Sequence, residues 1–439
     1  MRQRAWEVGI FVPMLVLLLG IGCSGDSGRK ASGEGKHTDG GSEQASTNDL
    51  DAALKKSFKE SDAPGVVAGV QTSEYTWVRA LGVADRATRE PMTPEVHHRI
   101  GSVTKTFTAT LLLQAADEGL LSLDDTIDQY VKGVPNGEKI TLRQMSDMTS
   151  GIASYTEDDQ WVKEWSSDPT RVWAPQELAR IGIKESPLFD PGTEWFYSNT
   201  NYVLLGLLLE KVTGKPIGQL YQKEIIEPLD LEETSFPNKD SALPEPYDHG
   251  YTLQGKSSGE KPIDSTHWSP SEAWTAGEMI STVDDLLVYG RALGTGKGLL
   301  PPEQQSERLD SFVSDVPPLK GDLAYGIGLG KDHGWIGHNG EIPGYNTYLF
   351  YHPDLDAVVA VEVNSDISSG KCPKDVLVMK ECPQSVPCEL PADRIFEVEV
   401  GLMREQGGEG LAEGEVVLNQ YDPEALGCVH IALQGSTGR

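Results

Sequence analysis

Apolar positions fall into two regimes along this chain. Towards both ends they come in short runs of strand length, and through the middle they recur at helical spacing. Gly65-Val-Val-Ala-Gly-Val70, admitted by Pro64, and Trp77 to Ala84 read as an antiparallel pair of strands that follows a helix from Asp51 to Glu60. Thr104 to Glu118 reads as a helix with a broad apolar face, closed by Gly119. In the middle third, Leu123 to Tyr130, Thr141-Leu-Arg-Gln144 (a capping-box pattern) and the stretch from Pro175 read as short helices, and Trp161, Trp165 and Trp173 between them read as core packing, with the lining of a cleft as the alternative. Asn199 to Val212 is a longer helix, stopped by Gly214 and Pro216, and Pro237 to Pro262 reads as a long surface loop. After Trp274 comes one more helix, from Ser281-Thr-Val-Asp-Asp to about Leu293. Tyr325–Gly330, a turn at 332–334, Trp335–Asn339, Tyr345–Tyr351 and Ala357–Asn364 then predict an antiparallel meander, and residues 391–404 a last helix.

This order predicts an α+β fold, in which an antiparallel sheet built from both ends of the chain is flanked by helices. A mainly helical lobe, about residues 120–275, is inserted between the two halves of the sheet.

Charge and cysteine narrow the partners. A formal net charge of -30 argues against nucleic acid and against electrostatic binding to anionic lipid. Residues 1–22 begin with Arg2 and Arg4, continue through an apolar run and end at Gly22-Cys23, the pattern of an export signal. The segment resembles a bacterial lipoprotein signal, which implies Cys23 as a lipid-bearing first residue, although Gly20 stands where such signals usually carry leucine. Residues 23–48 are Gly, Ser and charged residues with almost nothing to bury, so they read as a flexible tether, and the expectation is an exported protein held at the membrane. Cys372, Cys382, Cys388 and Cys428 are an even set in an exported chain and read as two disulfides with the pairing open; their spacing argues against zinc. Glycines 326, 328 and 330 alternate within a strand with no helix after them, so no nucleotide-binding loop is read, and no cofactor or metal is expected.

The chemistry begins at Ser102, three residues before Lys105 at the mouth of the helix, so that both side chains can point at one spot. The spacing alone is weak, since Ser27/Lys30, Ser258/Lys261 and Ser368/Lys371 repeat it in turn-like stretches. Two further stretches strengthen it: Tyr197-Ser-Asn199 at the mouth of the long helix, and His338-Asn339-Gly340 on a strand of the meander. A serine hydroxyl is a poor nucleophile near neutrality and needs a base, and Lys105 and Tyr197 are two candidates sharing one proton. Taken singly, Tyr197 is an aromatic staple, Asn199 a helix cap and His338 a strand residue. His97-His98 reads as a surface pair.

The three motifs in this order, with Phe189-Asp-Pro-Gly-Thr193, Ala276-Gly-Glu-Met-Ile-Ser-Thr282 and Gly340-Glu-Ile-Pro-Gly-Tyr345, resemble the serine hydrolases that comprise class C β-lactamases, D-alanyl-D-alanine carboxypeptidases and related esterases. The likeness runs from about Gly65 to Asn364. It implies a hydrolase domain over residues 49–390, followed by a C-terminal helix and tail over 391–439. It also implies Ser102 as nucleophile, Asn199 orienting the substrate amide, His338 hydrogen-bonding near Tyr197 in a substrate-binding strand with Asn339 and Gly340, and an oxyanion held by the backbone NH groups of Ser102 and Glu341. Two departures stand out. His-Asn-Gly replaces the Lys-Thr-Gly of the β-lactamases, and Met148 stands where many relatives carry histidine. The expectation is an acyl-enzyme hydrolase of the D-Ala-D-Ala carboxypeptidase type, acting on a peptidoglycan-type peptide or a small ester or amide, with His338 making activity depend on pH near neutrality. An esterase or β-lactamase is the alternative on the same scaffold. A non-catalytic lipoprotein that binds cell wall or senses a ligand is the rival class, and turnover separates it from an enzyme.

Overall fold

Val66, Ala68 and Val70 pack on one side of a strand and Val67 on the other, and both sides are buried. That is why the run is apolar throughout instead of alternating with polar residues. The computed structural model describes residues 47–256, 260–319, 321–370 and 388–406. The expected signal, the tether, Cys23, Cys372, Cys382, Cys428 and the tail beyond 406 lie outside the described residues, as does the side chain of Cys388.

Seven strands form the main sheet: β1 (Gly65–Gln71), β2 (Thr76–Gly82), β3 (Ala324–Tyr325), β4 (Gly330–Asp332), β5 (Trp335–Ile342), β6 (Tyr345–His352) and β7 (Ala357–Val363). Their spatial order is β2-β1-β7-β6-β5-β4-β3, antiparallel throughout. The two ends of the chain meet where Val66 pairs with Val363. On one face lie α1 (Thr47–Ser61) and the last helix, whose Leu50, Leu54, Ile395 and Val400 pack on Val66, Val359 and Val361. On the other face Val283 and Leu287, from the helix Val283–Thr295, pack with Val67, Val358 and Ala360. Each buried leucine of this kind contributes about 2 kcal/mol from area removed from water.

The inserted lobe carries the helices Leu142–Ser146, Asp159–Ser167, Pro175–Lys184 and Asn199–Thr213. Thr141 closes the expected capping box with Gln144, and Gly214 ends the longest helix of the lobe in a left-handed cap. Trp161, Trp165 and Trp173 are buried in the core, the first two stacked with ring centres 5.8 Å apart.

Four readings change. Tyr325–Gly330 is not one strand: Gly326 NH donates to the Leu329 carbonyl, closing a turn that sends Ile327 and Leu329 into the core. Leu123–Tyr130 contains only a single 3-10 turn, Ile127–Gln129. The 237–262 stretch is not merely surface, because Asp248, Tyr251 and Thr252 are buried. His97-His98 is no surface pair either; both are buried, His98 pairs with Ser281 in a short ladder, and its Nδ1 lies 2.8 Å from Asp248 Oδ2. The helix Pro302–Asp310 was not read at all.

Candidate active site

Ser102 sits in a 3-10 turn, Gly101–Val103, that runs directly into α2 (Thr104–Asp117). The turn is wedged against β5 so closely that side chains are excluded on both sides. A Cβ on Gly340 would lie 2.0 Å from the Ile100 carbonyl oxygen, and one on Gly101, whose φ is +52°, would lie 2.7 Å from the Glu341 amide nitrogen. Glycine is required at both positions, and the close approach brings the amide nitrogens of Ser102 and Glu341 into one corner.

Nearly every side of α2 is buried, so Lys105 has no route to water. Its Nζ lies 2.9 Å from Ser102 Oγ and donates to the Ala276 carbonyl at 2.6 Å, with the rings of Tyr197 and Tyr202 on either flank. Burial holds the ammonium well below its ordinary range, against a smaller opposing pull from the Glu272 carboxyl. Tyr197 is also buried, and burial pushes its phenol up, opposed by its hydrogen bond with Ser102. Burial thus works against both charged forms, the ammonium and the phenolate. In its neutral form an amine has a lone pair to take the serine proton, and a neutral phenol has a proton to give.

Tyr197 is set by a residue outside the three motifs. Met148, at φ +69°, accepts the Phe196 NH on its carbonyl and the Ser198 NH on its sulfur, 3.3 Å away, bracketing Tyr197 on both sides. The departure at Met148 therefore lies beside the chemistry. Asn199 opens the long helix, its NH donating to Ser154 Oγ, and lines the cleft with Ser102 and Tyr197.

His338 does not behave as expected. Its Nε2 lies 2.9 Å from Tyr325 Oη and its Nδ1 faces the Asn339 carbonyl, whereas Tyr197 only packs nearby, ring centre to ring centre 6.0 Å. A carbonyl can only accept, so Nδ1 carries the hydrogen. Burial, then the charge of Lys105, push the imidazole down to about 3, so it stays uncharged across the neutral range. This overturns the expected His338 titration near neutrality. The expected acid limb of kcat/KM is then that of Lys105, with activity rising with pH as the lysine loses its proton. In His338→Gln that limb should remain at the same pH, which a pH-rate profile of the variant beside the wild type checks.

The cleft over Ser102 has a volume of about 170 Å³. Trp161, Trp165, Glu157, Glu272 and Glu341 share its walls, and no lysine or arginine is among its described lining residues. Glu272, buried beside Glu278, is pushed up to about 8, chiefly by burial. The Glu341 carboxylate accepts from Gln254 Nε2 at 3.2 Å.

A nucleophilic serine at a helix mouth, a desolvated lysine beside it and a phenol across from it define a serine hydrolase of the β-lactamase and penicillin-binding-protein type. Residues 50–378 match the Beta-lactamase family, and the chain belongs to that family. Among solved structures it is similar to a D-stereospecific amidohydrolase from Streptomyces sp., at 35% identity and TM-score 0.67 over 73% of this chain and 95% of that one. It is also similar to the D-amino acid amidase of Ochrobactrum anthropi SV3, solved with L-phenylalanine amide, at 26% identity and TM-score 0.67 over 80% and 99%. Among curated relatives, PbpX of Bacillus subtilis (strain 168), named as a penicillin-binding protein, is 26% identical over 69% of this chain and 71% of its own length. Protein flp of Staphylococcus aureus (strain MW2) is 27% identical over 73% of this chain, which spans 64% of that relative.

Proposed function

We propose that the protein is an amidohydrolase that forms an acyl-enzyme on Ser102, with Lys105 as base and Tyr197 as proton carrier to the leaving group. It acts on amides of D-amino acids whose leaving group bears no carboxylate. The observation that carries this reading is the acidic lining of the cleft: Glu157 and Glu341 line it with Ser102, Glu272 beside them is pushed up to about 8, and no lysine or arginine is among the described lining residues. A carboxypeptidase must hold a C-terminal carboxylate beside the scissile bond. Here the third-motif histidine is uncharged, with both nitrogens engaged. At an effective dielectric near 20, one carboxylate about 6 Å from another costs roughly 2 to 3 kcal/mol. The likeness to the amidohydrolase and the amidase supports the same substrate class and the D configuration.

Chemically, the Lys105 amine takes the Ser102 proton as Oγ attacks the amide carbonyl, and the two corner amides of Ser102 and Glu341 receive the oxyanion. Tyr197 hands a proton to the departing nitrogen, and water then releases the acid by the reverse sequence. The test is one peptide in two forms, N-acyl-D-Ala-D-Ala as free acid and as terminal amide, assayed beside D- and L-phenylalanine amide, a chromogenic β-lactam and a short-chain ester. The expected result is kcat/KM at least about tenfold higher for the terminal amide than for the free acid, and higher for D- than for L-phenylalanine amide. Preference for the free acid would restore the carboxypeptidase reading.

A further inference from the structure

The 237–262 stretch sends one residue into the cleft that the chemistry above does not use. Gln254 lines it with Ser102, Asn199 and Glu341, and its Nε2 donates to Asp366 Oδ2 at 2.6 Å and to Glu341 Oε1 at 3.2 Å. We propose that Gln254 is a specificity-determining residue: its side-chain oxygen takes a hydrogen from the free α-ammonium of a D-amino acid amide, so the cleft selects substrates whose amino end is unblocked.

Hydrogen accounting fixes which atom Gln254 offers. A primary amide has two N–H hydrogens and one carbonyl oxygen, and a carboxylate oxygen accepts. Both hydrogens of Nε2 go to Asp366 and Glu341, so the oxygen, an acceptor, is what Gln254 has for a ligand. Turning the amide over would set that oxygen against two carboxylates. The support is rigid as well. Asp366 Oδ2 also takes the Thr252 hydroxyl hydrogen, at 2.8 Å, and Thr252 Oγ1 accepts the Gln254 backbone NH at 3.0 Å. Below them Tyr251–Thr252 pairs with Ile263–Asp264, and Tyr251 NH donates to the Asn364 carbonyl at the end of the main sheet.

Position and charge then choose the ligand. Glu341 carries one of the two oxyanion NH groups, so a side chain bonded to its carboxylate stands next to the bound carbonyl. That carbonyl has two substituents. Tyr197 meets the leaving nitrogen, which leaves the α-carbon and its nitrogen for Gln254. An acceptor needs a donor, and an ammonium has three N–H donors and a charge that strengthens the bond. Glu157 and Glu341 on the same walls favour that charge, and no lysine or arginine is among the described lining residues. A blocking acyl group would exchange the charge for a single neutral N–H.

This inference rests on the amide-directed reading and names the acyl half of its substrate. Three amides that differ at the α-carbon test it: D-phenylalanine amide, its N-acetyl derivative, and 3-phenylpropanamide, which has no α-nitrogen. Wild type should prefer D-phenylalanine amide to each of the others by at least about tenfold in kcat/KM, the scale of one hydrogen bond to a charged group. The preference should fade as pH rises through about 8, where an α-ammonium loses its proton. Gln254→Met keeps the length of the side chain and removes the acceptor, and comparing ratios cancels the intrinsic reactivity of the three amides. In the variant the ratio of D-phenylalanine amide to 3-phenylpropanamide should fall about tenfold, chiefly through KM. Equal losses on all three amides would make Gln254 only a brace for Glu341 and overturn the proposal. An unchanged ratio would give the ammonium to another group and overturn it too, and a wild type indifferent to the α-nitrogen would do so without any variant. The preference between terminal amide and free acid concerns the other side of the scissile bond, so the amide-directed reading can fail while these ratios stand.

Discussion

Ser102→Ala should lower kcat/KM by at least about a thousandfold on whichever substrate the wild type turns over best, the scale expected when a serine nucleophile is removed. The argument is local. Ser102 Oγ is the hydroxyl that Lys105 Nζ reaches, at 2.9 Å, and it opens onto the cleft. The substitution removes one oxygen from a partly buried turn whose shape is fixed by Gly101 and Gly340, so the cleft should still bind substrate. Calorimetric titration of the variant should therefore show binding with turnover gone. Wild-type binding without turnover would instead favour the non-catalytic sensor class.

Lys105→Met should be nearly as damaging. Methionine fills the same buried channel without a charge to desolvate, so the fold is retained and the base is lost. Near pH 7 the expected loss is again on the order of a thousandfold, and the acid limb of the pH-rate profile should vanish with the lysine. Tyr197→Phe alone should lose a comparable factor by removing the proton carrier. The two together should lose far less than the product of the singles, because both act on one proton path. A double-mutant cycle of kcat/KM measures this. Fully multiplicative losses would place Lys105 and Tyr197 in separate steps.

How far the sequence reaches is clearest at the residues it misjudged. Ser102, Lys105 and the helix behind them were legible because their relation is local: three residues on one helix face, apolar positions after them and a glycine at the end. The capping box at Thr141 and the glycine stop at 214 were legible for the same reason. His98 was misread because polar residues default to the surface. Its burial depends on Asp248, 150 residues away, which no local pattern announces. Tyr325 was read as the start of a strand, and its bond to His338, 13 residues on, exists because the chain turns at Gly326–Leu329 before rejoining the sheet. Met148 was noticed as a departure, but its hold on both neighbours of Tyr197 depends on a left-handed backbone that the sequence does not mark. Glu272 carried no signal at all; it lies in a turn where two short 3-10 segments meet, and its burial beside Glu278 follows from packing.

The most direct measurement of the central claim is the mass of the acylated protein. Wild type quenched during turnover of an activated ester should carry one acyl group, and digestion should place it on the peptide containing Gly101-Ser102-Val103-Thr104-Lys105. Ser102→Ala should carry none under the same conditions, while Lys105→Met should acquire it at least about a thousandfold more slowly. An adduct on another residue, or turnover with no adduct on Ser102 at any quench time, would contradict the account and move the chemistry elsewhere in the cleft.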